Sequence, residues 1–189
     1  MIKIGILGDI GSGKSFIAKN FGYPVFNADL EVSKLYKKDR KIFIKLKKNL
    51  SKYIYSFPID KKEISKAILA NKSNFNKIIK IVHLEVRKKM NIFLRKNKNK
   101  KIVILDIPLL LENKINKKKD ILVFVESKKS DILKRLKKRN NFNKQLFRKF
   151  QNIQLSTSYK KKKSKFIIKN DFSKKTVKRA IRIIIKEII

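Results

Sequence analysis

The apolar residues of this chain follow two patterns. Some form short continuous runs, and others recur every three or four residues over longer stretches. Short apolar stretches predict strands at residues 2–7, 24–27, 102–107, 121–125 and 166–168. The stretches at 102–107, which ends near an acid, and at 121–125 are continuous runs, which predict parallel strands buried on both faces.

The longer pattern predicts amphipathic helices between those strands. The predicted helices lie at residues 16–21, 29–50, 64–70, 74–94, 130–139, 143–155 and 174–189. Strands that alternate with helices indicate an α/β fold with a doubly wound parallel sheet, here of five strands. The longest helix carries one apolar stripe, made by Phe75, Ile78, Ile79, Val82, Val86 and Met90.

Residues 60–96 contain predicted helices alone, so we expect a helical insert there. The segments 1–59 and 97–189 form the expected α/β core. Asp60 and Glu63 have capping-box spacing where the first helix of the insert begins. The four consecutive lysines at residues 160–163 predict a solvated loop.

All five glycines lie within the first 22 residues, and three of them space the motif Gly8-Asp9-Ile10-Gly11-Ser12-Gly13-Lys14-Ser15. This is the P-loop pattern G-x-x-x-x-G-K-[ST], in which backbone amides at a helix N-terminus surround a phosphate. A chance match in an ordinary turn is the alternative, but the motif has a predicted strand before it and a predicted helix after it. The motif predicts that residues 8–15 bind nucleotide phosphates, that Lys14 reaches the outer phosphates and that Ser15 ligates Mg²⁺.

Two acidic residues lie at the carboxyl edge of the predicted sheet, where α/β proteins bind ligands. Asp29 follows the second strand, and Asp106 ends the third. Asp106 has the position of a Walker-B acid that holds Mg²⁺ through water, with capping of the next turn as the alternative. Asp29 can serve as a general base or as a helix N-cap, and its position alone does not decide between the two.

The charge changes this picture only in part. The chain has 52 basic and 14 acidic residues, a formal net charge of +38, which by itself predicts nucleic-acid binding. However, 44 of the basic residues are Lys and 8 are Arg, and the lysines are spread over the whole chain. That distribution is typical of a drift toward AT-rich codons, so we expect no specific nucleic-acid partner.

Composition also bears on the setting. The absence of Cys excludes a disulfide framework and thiolate metal sites. The N-terminus has no signal-peptide pattern, and no apolar run approaches the length of a membrane span. We expect a cytoplasmic protein with no membrane partner, either a monomer or a weak homo-oligomer.

Further motifs follow the P-loop in order: Asn27-Ala28-Asp29, His83-Leu84-Glu85-Val86-Arg87, Leu105-Asp106-Ile107-Pro108-Leu109-Leu110-Leu111-Glu112, Arg135 with Arg139, Gln154, and Phe166-Ile167-Ile168-Lys169-Asn170. In this order the chain resembles the dephospho-CoA kinase family from about residue 2 to residue 170. The most specific matches are residues 11–15 and 108–112. Departures from the family pattern occur at Asp9, Asn27, Leu84, Asn140 and Lys165.

The resemblance implies a kinase that uses ATP and Mg²⁺ to phosphorylate the ribose 3′-hydroxyl of dephospho-CoA, the last step of coenzyme A synthesis. It implies that Asp29 takes the hydroxyl proton, and that Lys14 and Arg139 stabilise the transferring phosphoryl group. Contact with the acceptor substrate is implied for His83, Arg87, Pro108, Leu109 and Glu112, and proximity to adenine for Asn170. Arg135, Arg139 and Arg148 belong to a helical lid expected at about residues 130–158, and the insert at 60–96 is expected to bind the CoA substrate.

Each of these roles has a structural alternative. A lone histidine on a helix is more often structural than a ligand, the arginines can form a solvated face, and Asn170 can be a turn residue. Another small-molecule P-loop kinase, of the nucleoside monophosphate or shikimate type, shares the loop and lid but not the P-L-L-x-E strand end with the downstream R-x-x-x-R and Gln spacing. A basic nucleic-acid-binding NTPase needs a stacking platform or a second core, for which 189 residues leave no room. An inactive paralogue is a third alternative, against which the intact loop and Asp29 argue.

Overall fold

In a computed structural model that describes residues 1–138 and 142–189, five strands form one sheet. The strands are β1 (Ile2–Gly8), β2 (Val25–Asn27), β3 (Ile102–Asp106), β4 (Ile121–Glu126) and β5 (Phe166–Lys169). Their order across the sheet is β2-β3-β1-β4-β5, and every neighbouring pair is parallel. The structure confirms the predicted doubly wound α/β fold.

The centre of the sheet is buried because its strands are apolar on both faces. Every residue of β3 is buried, and Ile4 and Ile6 of β1 expose no surface. On one side of the sheet, α1 (Lys14–Asn20) and α9 (Lys174–Ile188) join the same apolar core. The polar member of β3 is Asp106, which lies at the carboxyl end of the strand and is 3% exposed.

Three helices follow β4: α6 (Lys129–Lys137), α7 (Lys144–Asn152) and α8 (Thr157–Lys163). The third of these shows that the solvated loop expected at residues 160–163 is wrong. Ser156 starts α8 by accepting a hydrogen bond from the amide of Tyr159 at 3.2 Å, and Lys160 is buried. The lysine run predicted a solvated loop because charged side chains are usually exposed. In the structure Lys160 is instead buried and forms ion pairs.

The chain divides into two compact units. The sheet unit consists of Met1–Asn27 and Asn97–Ile189, and the helical unit is Ala28–Lys96. The helical unit contains α2 (Ala28–Lys38), α3 (Arg40–Asn49), α4 (Lys61–Ala70) and α5 (Lys72–Lys96). Within the described part of the chain, no helix combines the length and apolar content that crossing a bilayer requires.

Two helices of the helical unit, α2 and α3, come before residue 60. Both α2 and α3 pack against α5, and Leu35, Ile42 and Leu46 are buried there. These two helices replace the single helix expected at residues 29–50. They are separated at Asp39, whose carboxylate caps α3 by accepting from the amide of Ile42 at 3.1 Å.

The capping box expected at the start of α4 forms only in part. Asp60 accepts a hydrogen bond from the amide of Lys62 at 2.8 Å, as an N-cap does. Glu63 is buried and turns to the preceding loop, where it accepts from the amide of Tyr55 at 3.0 Å and from the Ser56 hydroxyl. Its carboxylate therefore anchors that loop to α4.

Candidate active site

The turn between β1 and α1 has the backbone of an anion-binding loop. Gly8, Gly11 and Gly13 have φ angles of 148°, 87° and 92°. A Cβ at Gly13 would lie 2.4 Å from the side-chain nitrogen of Asn170, and at Gly8 it would lie 2.8 Å from the carbonyl oxygen of Val125. Glycine is required at these two positions by both backbone angle and space. A glycine-rich turn at a helix N-terminus presents its amides to an anion.

Two side chains brace this loop, one directly after β4 and one directly after β5. The carbonyl oxygen of Ser12 accepts from the Ser127 hydroxyl at 2.9 Å and from the Asn170 side-chain nitrogen at 2.8 Å. The Asn170 side-chain oxygen in turn accepts from the amide of Phe172 at 3.0 Å. This bracing role of Asn170 was not visible in the sequence, and its proximity to adenine stays a prediction.

The ammonium group of Lys14 lies against the same loop. Its Nζ donates to the carbonyl oxygens of Gly8 at 3.0 Å and Asp9 at 2.9 Å. A shallow, open pocket lies beside it. The lining includes Gly8, Lys14, Leu109, Glu112, Gln154 and Lys160.

Three side chains that can serve a metal ion meet at the carboxyl edge of the sheet. The parallel register places Asn27 of β2 opposite Asp106 of β3. The Asn27 side-chain nitrogen donates to Asp106 Oδ2 at 2.5 Å and to Ser15 Oγ at 3.4 Å. Because both oxygens contact one nitrogen, the predicted metal ligands Ser15 and Asp106 lie close together.

This donor set fits Mg²⁺. A hydroxyl and a carboxylate are hard oxygen ligands, and Mg²⁺ is usually bound through one or two such groups together with water and phosphate oxygens. Within residues 1–138 and 142–189, no group of three or more His, Asp or Glu side chains could hold a metal by itself. The site therefore suits an ion that arrives with a nucleotide.

The segment after β3 forms one wall of the pocket. Leu109 has a φ of 58°, an uncommon backbone angle for a branched residue, and Leu110 is 1% exposed. Glu112 Oε1 accepts from the amide of Leu155 at 2.9 Å, which ties this segment to the connection between α7 and α8. Leu109 and Glu112, predicted to contact the acceptor, thus line the same pocket as Lys14, and Pro108, predicted with them, directly precedes Leu109 in the chain.

A buried ammonium group that sequence reasoning missed completes this wall. Lys160 Nζ lies 3.5 Å from Asp9 Oδ1 and 3.8 Å from Glu112 Oε1, and its side chain is 3% exposed. Among 44 lysines, nothing in the pattern marks this one. Its spacing of three from Thr157, which also contacts Asp9, becomes informative only once α8 is known to be a helix.

The predicted lid arginines occupy different settings. The Arg135 guanidinium stacks over the ring of Phe172, with its carbon 4.1 Å from the ring centroid. Arg148 is exposed on α7. Arg139, predicted to stabilise the transferring phosphoryl group, lies outside the described residues.

Three predicted site residues belong to the helical unit. Asp29 is exposed in the first turn of α2, next to the end of β2 in the chain. His83 and Arg87 lie four residues apart on α5. Burial, and secondarily the positive charge of Arg87, lowers the pKa of His83 below its usual value, so the imidazole is neutral at pH 7.

Comparison with known proteins identifies a family that matches most of this chain. The model of the family described as dephospho-CoA kinase matches residues 2–176. A dephospho-CoA kinase of Wolbachia pipientis wMel is 37% identical over 179 residues, which cover 92% of this chain and 91% of that protein.

Solved structures agree on the fold. A Thermus thermophilus protein of known structure superimposes with a TM-score of 0.78 at 22% identity, covering 100% of this chain and 98% of that one. A dephospho-CoA kinase from Campylobacter jejuni gives a TM-score of 0.64 at 22% identity, with 98% and 96% coverage.

Proposed function

The chain belongs to the dephospho-CoA kinase family, and we propose that it transfers the γ-phosphoryl group of ATP to the ribose 3′-hydroxyl of dephospho-CoA. The observation that carries the proposal is the glycine-rich loop with Lys14, within a chain whose family match spans residues 2–176. A nucleoside monophosphate kinase is not favoured, since the family match and the relatives name dephospho-CoA kinase. The proposal includes a cytoplasmic location, a monomeric or weakly oligomeric state and no specific nucleic-acid partner.

Binding of ATP rests on the loop of residues 8–15. Its amides and the N-terminal end of α1 attract the phosphates, because the helix dipole and unpaired N–H groups favour anions there. When ATP binds, the Lys14 ammonium group gives up its hydrogen bonds to the carbonyl oxygens of Gly8 and Asp9 and donates to the outer phosphates instead. Asn170 and Ser127 hold the loop in shape through the Ser12 carbonyl.

Ser15 and Asp106 would hold Mg²⁺ with the phosphate oxygens, and Asn27 keeps these two side chains together. The ion, when bound, neutralises charge on the β- and γ-phosphates. Phosphoryl transfer needs alignment and charge neutralisation more than covalent help from the protein. These residues therefore position the donor rather than react with it.

Asp29 is proposed as the group that takes the proton of the 3′-hydroxyl. It follows the carboxyl end of β2, the same sheet edge that carries Asp106, and it occupies the last position of the Asn27-Ala28-Asp29 motif. As a carboxylate it can accept the proton while the hydroxyl oxygen attacks.

Contact with the acceptor is proposed for His83, Arg87, Pro108, Leu109 and Glu112. Neutral His83 can form hydrogen bonds in either direction, and Arg87 supplies a permanent positive charge suited to a phosphate group. Pro108, Leu109 and Glu112 line the pocket wall beside Lys14 or lead into it. Arg139 is proposed to stabilise the transferring phosphoryl group, and residues 130–158 to act as the lid.

The test is a measurement of ADP release with Mg-ATP and one acceptor at a time. We expect release with dephospho-CoA and only background with nucleoside monophosphates or DNA. Mass spectrometry of the product should show one added phosphate on the ribose 3′ position. Equal or faster ADP release with a nucleoside monophosphate would favour the other kinase type. A Lys14→Met variant supplies the baseline for contaminating activity.

A further inference from the structure

Lys160 occupies a position that is costly for an ammonium group without anionic partners. Among the residues that the structure describes, it is the only buried lysine. Its Nζ lies between two carboxylates, 3.5 Å from Asp9 and 3.8 Å from Glu112. These separations are longer than the 2.7–2.9 Å of a close charge-assisted hydrogen bond. The group therefore balances two charges rather than forming one tight pair.

Both carboxylates are fixed independently of Lys160. Asp9 accepts one hydrogen bond from the Thr157 hydroxyl, whose oxygen lies 3.2 Å and 3.4 Å from the two carboxylate oxygens. Glu112 accepts from the amide of Leu155 at 2.9 Å. Removing the ammonium group would thus leave two carboxylates near their present places.

This charge cluster borders the phosphate site. Asp9 belongs to the glycine-rich loop, and Glu112 and Lys160 line the same pocket as Lys14. The two ammonium groups of Lys14 and Lys160 match the carboxylates of Asp9 and Glu112. Without Lys160 the other three of these side chains carry one more negative than positive charge, and a triphosphate bound at Lys14 would be repelled by it.

We propose that Lys160 is a positioning residue of the nucleotide site, which neutralises Asp9 and Glu112 and so allows ATP to bind beside an acidic loop residue. The Asp9 carboxylate, which lies within the phosphate-binding loop, makes this neutralisation necessary. This proposal rests on the proposed function in one respect, which is that the pocket binds ATP. It does not depend on which acceptor is phosphorylated.

The test measures the Kd of Mg-ATP by calorimetry, without acceptor, for Lys160→Met and the matched control Lys162→Met. Methionine keeps the apolar stem of lysine and removes the charge. We expect Lys160→Met to raise the Kd about tenfold at low salt and less at 0.5 M salt, because salt screens charge repulsion. Lys162 is exposed on the same helix, so its variant should keep the wild-type Kd.

The double variant Asp9→Asn with Lys160→Met separates charge from packing. It should recover most of the lost affinity, because the excess carboxylate is gone. Asp9→Asn alone should lower the Kd of ATP two- to fivefold, which tests the same charge balance if Lys160→Met does not fold. Thermal melting establishes folding for each variant.

Two results would overturn the proposal: an unchanged Kd in folded Lys160→Met, or a loss that Asp9→Asn does not relieve and that salt does not reduce. If the wild-type chain failed to bind ATP, both the proposed role of Lys160 and the proposed kinase activity would be wrong. If it bound ATP with the expected variant effects but did not phosphorylate dephospho-CoA, only the proposed acceptor would be wrong.

Discussion

At the scale of single residues, Asp29 is the strongest test of the proposed chemistry. Replacing it with Asn removes the proton acceptor while keeping size and shape. We expect turnover to fall by about 10²–10⁴, the usual contribution of a general base, with the Kd of ATP unchanged. Steady-state ADP release measures the turnover, and calorimetry measures the Kd of ATP.

The matched control for Asp29 is Glu31→Gln. Glu31 lies in the same first turn of α2 and pairs with Lys34 at 2.6 Å. It should retain wild-type turnover, because Glu31 has no proposed part in the reaction and an i,i+3 surface ion pair contributes little to stability. Equal losses in both variants would mean that Asp29 serves the helix end, as an N-terminal acid does, and not the reaction.

His83 is the only histidine in the chain, so its titration can be followed directly by NMR of the imidazole. Burial first and Arg87 second lower its pKa below the usual value. We expect Arg87→Gln to raise this pKa only partly toward that value, since burial remains. A pKa that reached or passed the usual value would contradict the proposed order of causes.

The same shift fixes how stability depends on pH. A folded-state pKa below the unfolded value means that the unfolded chain binds more protons between the two values. Stability from His83 is therefore fully present above the usual histidine pKa of about 6.5 and is lost as pH falls toward the lowered pKa. Urea unfolding of His83→Gln should lack this part of the pH dependence.

At the scale of elements, the stability of the segment formed by β1, the glycine-rich loop and α1 depends on which glycines it contains. Gly13 and Gly22 both have positive φ, of 92° and 75°. A Cβ at Gly13 meets the Asn170 nitrogen at 2.4 Å, whereas at Gly22 nothing lies within 4 Å. Gly22→Ala should therefore cost only the backbone strain, about 1 kcal/mol.

Gly13→Ala should lose more stability and should also lose ATP binding, because Asn170 must move and release the Ser12 carbonyl. The free energies of unfolding in urea and the ATP affinities of the two variants give the comparison. Similar effects in both would show that space at Gly13 is not what the loop requires.

The elements also show what sequence pattern can predict. Short apolar stretches located all five strands. The two continuous runs became β3, which is buried throughout, and β4, which is buried at its centre, as a strand covered on both faces requires. The boundary between α2 and α3 and the orientation of Glu63 escaped prediction. In each case one carboxylate, that of Asp39 or Glu63, accepts from one of several backbone amides within reach. The spacing of apolar residues does not predict which amide it binds.

The candidate site was predictable to the extent that its residues form contiguous motifs. Lys14, Ser15 and Asp106 could be named because chemistry and spacing mark them, and Glu112 because the chain resembles a known family. The structure places these four in the sheet unit. Lys160 and the loop-bracing contact of Asn170 depend on partners 151 and 158 positions away in the chain. Such contacts follow from the tertiary fold, and a composition rich in lysine conceals them.

At the scale of the whole molecule, the net charge of +38 leads to a prediction about nucleic acid. Lysines are distributed over helices of both units, and 44 of the 52 basic residues are Lys, which binds phosphate as a point charge. Such a surface attracts DNA through counterion release without recognising a sequence. We expect a Kd on the order of 10⁻⁴–10⁻⁶ M near physiological salt, with log K falling steeply as log salt rises.

Fluorescence anisotropy with labelled duplexes of two unrelated sequences, over 50–300 mM salt, measures both quantities. The two duplexes should bind equally, and saturating Mg-ATP should not change the slope, because a diffuse charge field does not depend on the phosphate pocket. ADP release should not respond to DNA. A nanomolar complex at physiological salt, or a preference for one sequence, would mean that the lysines form a true nucleic-acid site and that codon drift does not explain them.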